Sequence, residues 1–269
     1  MLHFFKYHGA GNDFIMIDQR EQQILTRADT DIVARLCHRR FGIGADGLIL
    51  LQKHDQFGIE MVYFNADGLE STLCGNGGRC FAAFAKHLNI TDSHFQFLAI
   101  DGPHEAVIFK HDNTEGLEWV ELKMNNVSQV DIYDNDSFVL NTGSPHFVRF
   151  VNKVQEINMV QEGRSVRYSY RFKTDGINVN LVEITPDGLE IRTYERGVED
   201  ETLACGTGVT AAALAFARQK NLTGPQEIKV KAMGGNLAVR FTVLPDHTFA
   251  DIWLCGPAQM VFSGQLSVN

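Results

Sequence analysis

The chain has 269 residues, of which 44% are hydrophobic and 21% charged, and its formal net charge at pH 7 is -9. A chain of this length can form two domains of ordinary size, and this composition is typical of a soluble globular protein. The acidic balance argues against a nucleic-acid partner, and no apolar run approaches the roughly 20 residues of a membrane span. The first residues, MLHFFKYHGAGNDF, turn polar too early for a secretory signal, so we expect a cytoplasmic location.

Short strand-like runs dominate the first half of the chain, beginning with FIMID, GLILLQ and IEMVYFN. A helix is predicted at residues 29–40, where the apolar residues on one face are Ile32, Val33, Leu36 and Cys37. A second helix follows the turn at Cys74, with apolar residues spaced at i, i+3, i+4 and i+7: Phe81, Phe84, Ala85 and Leu88. The polar run HDNTEGLE, at 111–118, is the best candidate for a break between two domains.

The second half repeats this character, with strand-like runs in FVLNTG, INVNLVEI, LEIRTYER and LAVRFTVL. Alternation in INVNLVEI predicts two faces of a strand, one with Val179, Leu181 and Glu183 and the other with Asn178, Asn180 and Val182. A helix follows the turn at Cys205, with apolar residues at the same spacing as before: Val209, Ala212, Ala213 and Phe216. Its alanine-rich sequence fits a helix that is buried on most sides.

The two halves share a turn of unusual composition. Cys74 and Cys205 stand in Cys-Gly-x-Gly turns, CGNG and CGTG, which are 131 residues apart. Three further pairs stand in the same order at similar distances before these cysteines: Gly11 and Gly143, Asp46-Gly47 and Asp175-Gly176, and Tyr63 and Tyr194. The shared spacing predicts a duplicated unit. We therefore expect two similar α/β domains, each a sheet wrapped on a central helix.

A Cys-Gly-x-Gly turn before a helix combines two chemical functions. Glycine lets a ligand approach the backbone closely, and the unpaired N–H groups at the helix start bind an anion such as a carboxylate. A thiol at the same end is in the same electrostatic field, which favours the thiolate. If the halves face each other, two thiols flank one substrate. Two opposed acid/base groups with support for a developing carboxylate charge indicate inversion at the α-carbon of an amino acid.

The chain has five cysteines, an odd number that favours free thiols over a disulfide framework in a reducing compartment. We expect Cys37, Cys80 and Cys255 to be buried structural residues. No pair has the Cys-x₂₋₄-Cys spacing of a zinc site, so no metal site is expected. The glycines also lack the full G-x-G-x-x-G spacing of a dinucleotide loop.

Five motifs in order, GAGNDF, FNADG, CGNGGRC, YERG and ACGTG, resemble diaminopimelate epimerase, a family of amino-acid racemases that use no pyridoxal phosphate. The resemblance extends from residue 6 to GPAQMVFSG near the C-terminus. It implies an α/β (α+β) fold of two pseudo-symmetric domains, each a mostly antiparallel sheet or barrel on a central helix, with the active site in the interdomain cleft. The implied domains are residues 1–117 with the C-terminal strand 256–269, and residues 118–255.

The resemblance implies an isomerase that interconverts L,L- and meso-2,6-diaminopimelate without a cofactor, in lysine and peptidoglycan precursor biosynthesis. It implies a homodimer as well. The implied catalytic thiols are Cys74 and Cys205. The implied substrate contacts are Asn12, Asn65, Gly75, Asn76, Asn178, Glu195, Arg196, Gly206 and Thr207. His146 and Glu195 resemble groups that help to poise the thiols.

The residue types suit a substrate with two amino-acid ends. Arg196 can bind a distal carboxylate through two hydrogen bonds, and Glu195 can accept from an ammonium group. The competing interpretations are a solvated charge pair for Glu195 and Arg196, and a simple turn residue for Asn12. A structural histidine is the alternative for His146.

Two positions depart from the pattern of many relatives. Ser144, in GSPHF, stands where many have asparagine, and a serine reaches less far, so a bridging water or another residue would replace that contact. Gly47, in GADGL, stands where some relatives have glutamine. Both departures concern individual contacts and leave the implied reaction in place.

Three other functions compete with this interpretation. A proline or hydroxyproline racemase of the same fold has a one-ended substrate, which does not need the charged pair in YERG. A protein that only binds an amino acid has no need of two thiols. A thiol redox protein would be marked by Cys-x-x-Cys, which the sequence lacks.

Overall fold

The computed structural model describes residues 1–91, 93–110 and 117–267. The chain divides into two compact units, the first made of Met1–Leu122 and Pro257–Asn269 and the second of Lys123–Gly256. Most of the predicted polar break at 111–118, namely 111–116, lies outside the described residues. No helix within the described part of the chain is long and apolar enough to span a membrane.

The described residues of the first unit form two helices and a mixed sheet. Its elements are β1 (Leu2–Gly9), β2 (Asn12–Asp18), α1 (Thr30–Cys37), β3 (Gly47–His54), β4 (Gly58–Asn65), α2 (Gly75–His87), β5 (His94–Ala99), β6 (Gly102–Lys110) and β7 (Leu117–Lys123). The strands pair in chain order from β1 to β7. The C-terminal strand β16 (Phe249–Leu266) is hydrogen-bonded to both β7 and β1, which closes the strands into a ring. Within this unit β16 pairs with β1 from His8↔Gln259 to Leu2↔Leu266.

The second unit repeats the pattern. Its elements are β8 (Val130–Ile132), β9 (Ser137–Asn141), β10 (Pro145–Phe150), a short 3-10 helix (Val154–Glu156), α3 (Met159–Arg167), β11 (Asn178–Thr185), β12 (Gly188–Glu195), β13 (Asp200–Thr202), α4 (Gly206–Gln219), β14 (Gly224–Ala232), β15 (Gly235–Val243) and the first part of β16. The strand order is β8-β9-β10-β11-β12-β14-β15-β16.

The predicted duplication is confirmed by the strand pairing. In the first unit, the strand pairs from β16-β1 to β6-β7 are, in order, antiparallel, antiparallel, parallel, antiparallel, parallel, antiparallel and antiparallel. Read from β8-β9 to β15-β16, the second unit gives the same series. Each parallel pair needs a crossover connection, and α1, α2, α3 and α4 occupy the four corresponding connections. The mostly antiparallel α/β fold expected from the sequence is therefore present in each unit.

Each unit has one central helix, and these are the two helices predicted after the Cys-Gly turns. Helix α2 packs against β1, β2, β3 and β6, and the residues from Gly75 to Ala85 are all buried. Helix α4 contacts β9, β10, β11, β12, β14 and β15, and it is buried over most of its length. A helix that is buried on most sides needs small or apolar residues around much of its circumference, and alanine and glycine occupy many of these positions in both helices.

Two details of the sequence prediction need correction. The helix predicted at 29–40 is shorter, because the chain leaves the helical conformation at His38, where ψ is 119°. The tyrosine pair is not equivalent. Tyr63 packs in the core cluster around α2, with Phe81, whereas Tyr194 packs in the cluster around α3, with Met159. The two tyrosines therefore lie on opposite faces of corresponding strands, since successive side chains of a strand alternate between faces.

Candidate active site

Cys74 is the residue from which α2 begins. Its backbone is extended, with φ -86° and ψ 126°, and its carbonyl oxygen accepts the hydrogen bond of Gly78 N at 2.7 Å. The side chain is half-buried. The next residues, Gly75 and Asn76, are buried in the first turn, where backbone N–H groups have no partner within the helix. The sulfur therefore lies at the positive end of the helix dipole.

A chain of amide groups fixes which atom faces the Cys74 sulfur. Asn12 Nδ2 donates to the Asp46 carboxylate at 2.7 Å, so Asn12 Oδ1 points the other way. That oxygen accepts from Cys74 Sγ at 3.5 Å and from Asn76 Nδ2 at 3.3 Å. Asn76 Oδ1 in turn accepts from the buried guanidinium of Arg79 at 2.8 Å. Since an amide oxygen only accepts, Cys74 is the donor in this arrangement and carries its proton.

At the Asp46 end of this hydrogen-bond series, ion pairs hold the carboxylate in place. Arg39 binds both Asp46, at 2.6 Å, and Asp13, at 2.7 Å. Lys6 forms a second ion pair with Asp13, also at 2.7 Å. Burial alone would raise the pKa of Asp13, but the hydrogen bonds from Arg39 and Lys6 hold that pKa well below its usual range. Arg39 thus holds Asp46 beside Asp13, and Asp46 in turn fixes the orientation of the Asn12 amide.

Cys205 has the corresponding place at the start of α4. Its backbone is extended, with φ -111° and ψ 111°, and its carbonyl oxygen accepts from Val209 N at 2.9 Å. The residue is 8% exposed, so this sulfur is more enclosed than that of Cys74. Its Sγ lies 3.4 Å from the Oγ1 atom of Thr207, the second residue of α4.

His146 lies behind Thr207 and is fully buried. Burial, together with a smaller effect of the nearby positive charge of Arg196, lowers the pKa of His146 to about 3, so the ring is neutral at physiological pH. Asn180 Nδ2 donates to the carbonyl oxygen of Phe147 at 3.0 Å and lies 3.1 Å from His146 Nδ1. A carbonyl oxygen only accepts, so the shared atom is the amide nitrogen. His146 Nδ1 is therefore an acceptor, and the ring proton is on Nε2.

The hydrogen bonds from this ring run toward Cys205. His146 Nε2 lies 2.9 Å from Thr207 Oγ1 and 3.0 Å from Ser144 Oγ. Ser144 Oγ accepts from Asn178 Nδ2 at 3.1 Å and lies 3.2 Å from Thr207 Oγ1, to which it can donate its own hydrogen. When Thr207 accepts from both neighbours, its hydroxyl hydrogen can point to Cys205 Sγ, 3.4 Å away. The sulfur of Cys205 can therefore accept a hydrogen bond from Thr207, whereas that of Cys74 donates to Asn12.

Gly208 permits this close packing. A Cβ atom at this position would lie 2.5 Å from Asn180 Oδ1 and 3.4 Å from His146 Cε1. The amide of Asn180 cannot move aside easily, because Thr193 Oγ1 donates to the same oxygen at 2.9 Å. The second glycine of the CGTG turn is thus required by the neighbours of Cys205.

Asn178, Glu195 and Arg196 lie at adjoining strand ends in the second unit. Asn178 Oδ1 accepts from the backbone N–H of Arg196 at 2.9 Å, which links the two strands. The guanidinium of Arg196 is exposed and donates to the carbonyl oxygen of Asp175 at 2.9 Å. Glu195 accepts a hydrogen bond from Thr202 Oγ1 at 3.0 Å. Both charged side chains therefore have hydrogen-bond partners that hold them in place.

The structure thus forms two groups from the predicted site residues. Asn12, Cys74, Gly75 and Asn76 are joined in the first unit, where Asn65 is bound separately to Tyr63. The second group contains His146, Asn178, Glu195, Arg196, Cys205, Gly206 and Thr207. The remaining cysteines, Cys37, Cys80 and Cys255, are buried. Burial raises the pKa of the Cys37 thiol to about 12 and also raises that of Cys80.

Sequence reasoning missed four residues that are hydrogen-bonded to the predicted site residues: Tyr63, Asp46, Arg79 and Asn180. Two of them had a signal. Asn180 interrupts the apolar run INVNLVEI, and Arg79 is a charged residue between Gly78 and Cys80, within the run of α2 from Gly75 to Ala85 that is otherwise mostly small or apolar. A polar residue in a buried run implies a hydrogen-bond partner. Among the described residues no group of three or more histidine, cysteine or acidic side chains could hold a metal ion.

Comparison with solved structures defines the fold class. A phenazine biosynthesis protein of the PhzF family from Bacillus anthracis has a TM-score of 0.79 at 13% identity, with 99% of each chain covered. A probable proline racemase from Agrobacterium radiobacter, solved with bound carbonate, has a TM-score of 0.73 at 14% identity, covering 100% of this chain and 94% of that one. The chain therefore has the two-domain fold that these proteins share.

Sequence comparison is more specific. The profile of the family described as diaminopimelate epimerase matches residues 4–130 and 138–261. Diaminopimelate epimerase from Flavobacterium psychrophilum is 49% identical over 96% of this chain and 97% of its own length. The protein of the same name from Chlorobaculum tepidum is 44% identical, with 97% and 99% covered. The chain belongs to the diaminopimelate epimerase family.

Proposed function

We infer that this chain interconverts L,L- and meso-2,6-diaminopimelate, and we propose that Cys74 and Cys205 are the two acid/base groups. One observation carries the proposal. The two cysteines begin the central helices of the two duplicated units, and their neighbours suit opposite hydrogen-bond roles. Cys74 donates to Asn12, whereas Thr207 can donate to Cys205. A two-base inversion needs one thiol and one thiolate at the same time.

In the proposed mechanism the resting enzyme holds Cys74 as a thiol and Cys205 as a thiolate. The Cys205 sulfur removes the α-proton of the substrate, so the C–H bond breaks and an S–H bond forms. Negative charge develops on the substrate carboxylate, and the N–H groups at a helix start stabilise it. Cys74 then gives its proton to the opposite face of the carbon. The reverse reaction uses the same two sulfurs with exchanged roles.

The residues around Cys205 support its assignment as the resting thiolate. Neutral His146 cannot supply a positive charge, so the thiolate is stabilised by hydrogen bonds and by the dipole of α4. The relay from Asn180 through His146 and Thr207 ends in a donor that faces the sulfur. We therefore assign His146 as a positioning residue for Thr207.

We propose that Arg196 and Glu195 recognise the amino-acid end of the substrate that does not react. The guanidinium of Arg196 is exposed and can bind a carboxylate with two hydrogen bonds. Asn65, Asn178, Gly75, Asn76 and Gly206 would supply the remaining polar contacts. No metal or coenzyme is needed in this scheme, because the thiols exchange the proton and the helix starts stabilise the carboxylate charge.

Two further proposals rest on the resemblance to the family. We propose a cytoplasmic enzyme that acts in amino-acid biosynthesis, and a homodimer. Light scattering on the purified chain measures the mass directly. A mass of one chain, about 30.1 kDa, would contradict the dimer and leave the catalytic proposal unaffected.

The catalytic proposal is tested by incubation of the purified chain with L,L-diaminopimelate and chiral separation of the products. We expect the meso isomer to form without added cofactor. In deuterated water the first-turnover product should carry deuterium at the inverted carbon, because the new hydrogen comes from an exchangeable thiol. A product that retained the original hydrogen would contradict two-base catalysis. Turnover of proline in place of diaminopimelate would contradict the substrate assignment.

A further inference from the structure

Asn65 is a substrate contact in the proposed function, and its surroundings include a residue with no assigned role. Asn65 is the last residue of β4, its side chain is exposed, and it lies directly opposite Gly47 on β3. The amide accepts a hydrogen bond at its Oδ1 from Tyr63 Oη at 2.8 Å. Tyr63 precedes Asn65 by two positions, so both side chains lie on the same face of the strand.

Gly47 makes the space that the Tyr63 ring fills. A Cβ atom at position 47 would lie 2.6 Å from Tyr63 Cε2 and 3.3 Å from its hydroxyl oxygen. The backbone oxygen of Phe64 would also be 2.6 Å away, so the position cannot take a side chain without displacing its neighbours. The Tyr63 ring can therefore occupy this space only because residue 47 has no side chain.

The ring is held firmly enough to position its hydroxyl group. Tyr63 is 8% exposed and packs edge to face with Phe14, with the ring centroids 6.0 Å apart. Phe14 is itself opposite Gly47 on the other neighbouring strand, β2. The phenol thus lies across Gly47, between β2 and β4, and its hydroxyl group reaches the exposed end of β4.

We propose that Tyr63 is a positioning residue that fixes the orientation of the Asn65 amide. With Oδ1 engaged by the phenol, the Nδ2 group faces outward and offers two N–H donors. Such a group binds an acceptor, which in a diaminopimelate substrate is a carboxylate oxygen. The proposal rests on the proposed function. It adds that Asn65 acts as a donor to a carboxylate and that Tyr63 determines this.

The test is a double-mutant cycle on steady-state kinetics with L,L-diaminopimelate. Tyr63→Phe keeps the ring and removes only the hydroxyl group. We expect KM to rise about 3- to 10-fold, in line with the loss of one hydrogen bond, while kcat changes less than about twofold. In the Asn65→Ala background the same change should have no further effect on KM, because the phenol then has no amide to position. Tyr7→Phe is the matched control, since Tyr7 is a buried tyrosine of the same core cluster.

The results distinguish a wrong role for Tyr63 from a wrong proposed function. An active wild-type chain whose KM is unchanged by Tyr63→Phe overturns the role of Tyr63 and leaves the proposed function standing. Full additivity of Tyr63→Phe with Asn65→Ala does the same, since it indicates a packing effect. An equal rise of KM in Tyr7→Phe would also assign the effect to packing. A wild-type chain that does not turn over L,L-diaminopimelate overturns the proposed function and this inference together.

Discussion

Asn180 donates a hydrogen bond to His146 Nδ1 across 3.1 Å, and this contact sets the tautomer of a fully buried histidine. The proton is placed on Nε2, on the side of Thr207 and Cys205. Asn180, which lies on strand β11, thereby influences the hydrogen bonding around the Cys205 sulfur. Replacement of its amide NH₂ group by an oxygen, as in aspartate, should reverse the tautomer.

Asn180→Asp should invert the tautomer of His146. A carboxylate only accepts hydrogen bonds, so it would draw the ring proton to Nδ1 and leave Nε2 as an acceptor. We expect kcat/KM to fall about 10-fold or more, through loss of donation to Thr207. The tautomer itself is read from the ¹⁵N chemical shifts of the histidine ring.

Asn180→Leu is the companion variant, because it removes the donor without adding an acceptor. It should cost about 1–3 kcal/mol of stability, the usual penalty for a buried polar group without a partner. An Asn180→Asp protein that kept its Nε2 proton, or kept full activity after losing it, would contradict the relay.

Cys74→Ser and Cys205→Ser should each lose nearly all net epimerisation. A serine hydroxyl is a far weaker acid and base at neutral pH, and a positioned acid/base group contributes about 10²–10⁴-fold to the rate. The measurement is the initial rate of meso product from L,L substrate. Cys37→Ser is the matched control, since that thiol is buried in the core around α1, and its rate should stay near that of the wild type. Substantial activity in either serine variant would argue against an essential role for that thiol.

The first unit should lose stability in acid through Asp13. The folded-state pKa of this carboxyl is held below its unfolded value of about 3.9, so its stabilising effect is present above that pH and is lost as the pH falls below it. Thermal midpoints measured from pH 7 to pH 3 should therefore drop more steeply in the wild type than in Asp13→Asn. Asp187→Asn, at an exposed carboxyl, is the control and should leave the slope unchanged. Identical slopes in wild type and Asp13→Asn would rule out this contribution.

Gly208→Ala should impair activity through a steric conflict with one identified atom. The new methyl group would lie 2.5 Å from Asn180 Oδ1, which would push the amide away from His146. We expect lower kcat/KM in this variant. In an Asn180→Ala background the conflict disappears, so Gly208→Ala should then have little further effect. A constant effect in both backgrounds would place the conflict elsewhere in α4.

The sequence predicted the parts of the fold that depend on local periodicity. Helices α2 and α4 were located from their apolar spacing after the Cys-Gly turns, and both start directly after the cysteine. The duplication was found from motif spacing, and the strand pairing confirms it. The prediction that Tyr63 and Tyr194 are equivalent was wrong, because a shift of one residue along a strand moves a side chain to the other face of the sheet. Equal spacing from a cysteine does not reveal which face a residue occupies.

The candidate site was predictable only in part. Motifs give residue types, but the direction of a hydrogen bond depends on partners from distant segments. Asn12 is oriented by Asp46, and the tautomer of His146 is set by Asn180 on a neighbouring strand. At Ser144 the sequence predicted only that a shorter side chain replaces an asparagine, and the structure adds that its hydroxyl group is hydrogen-bonded to Asn178, His146 and Thr207. At Gly47 the space is filled by Tyr63, which no pattern along the chain indicates.

Strand β16 has a consequence for the order in which the protein can assemble. Its early residues, from Phe249 to Cys255, pair with β15, and its later residues, from Gln259 to Leu266, pair with β1. The ribosome makes β1 and β2 long before β16, the second partner of β1. Until β16 is made, the first unit has an unpaired strand edge, which is the kind of surface that aggregates or binds chaperones. Nascent chains stalled before residue 257 should expose that edge, although every residue of the Cys74 network has already been made.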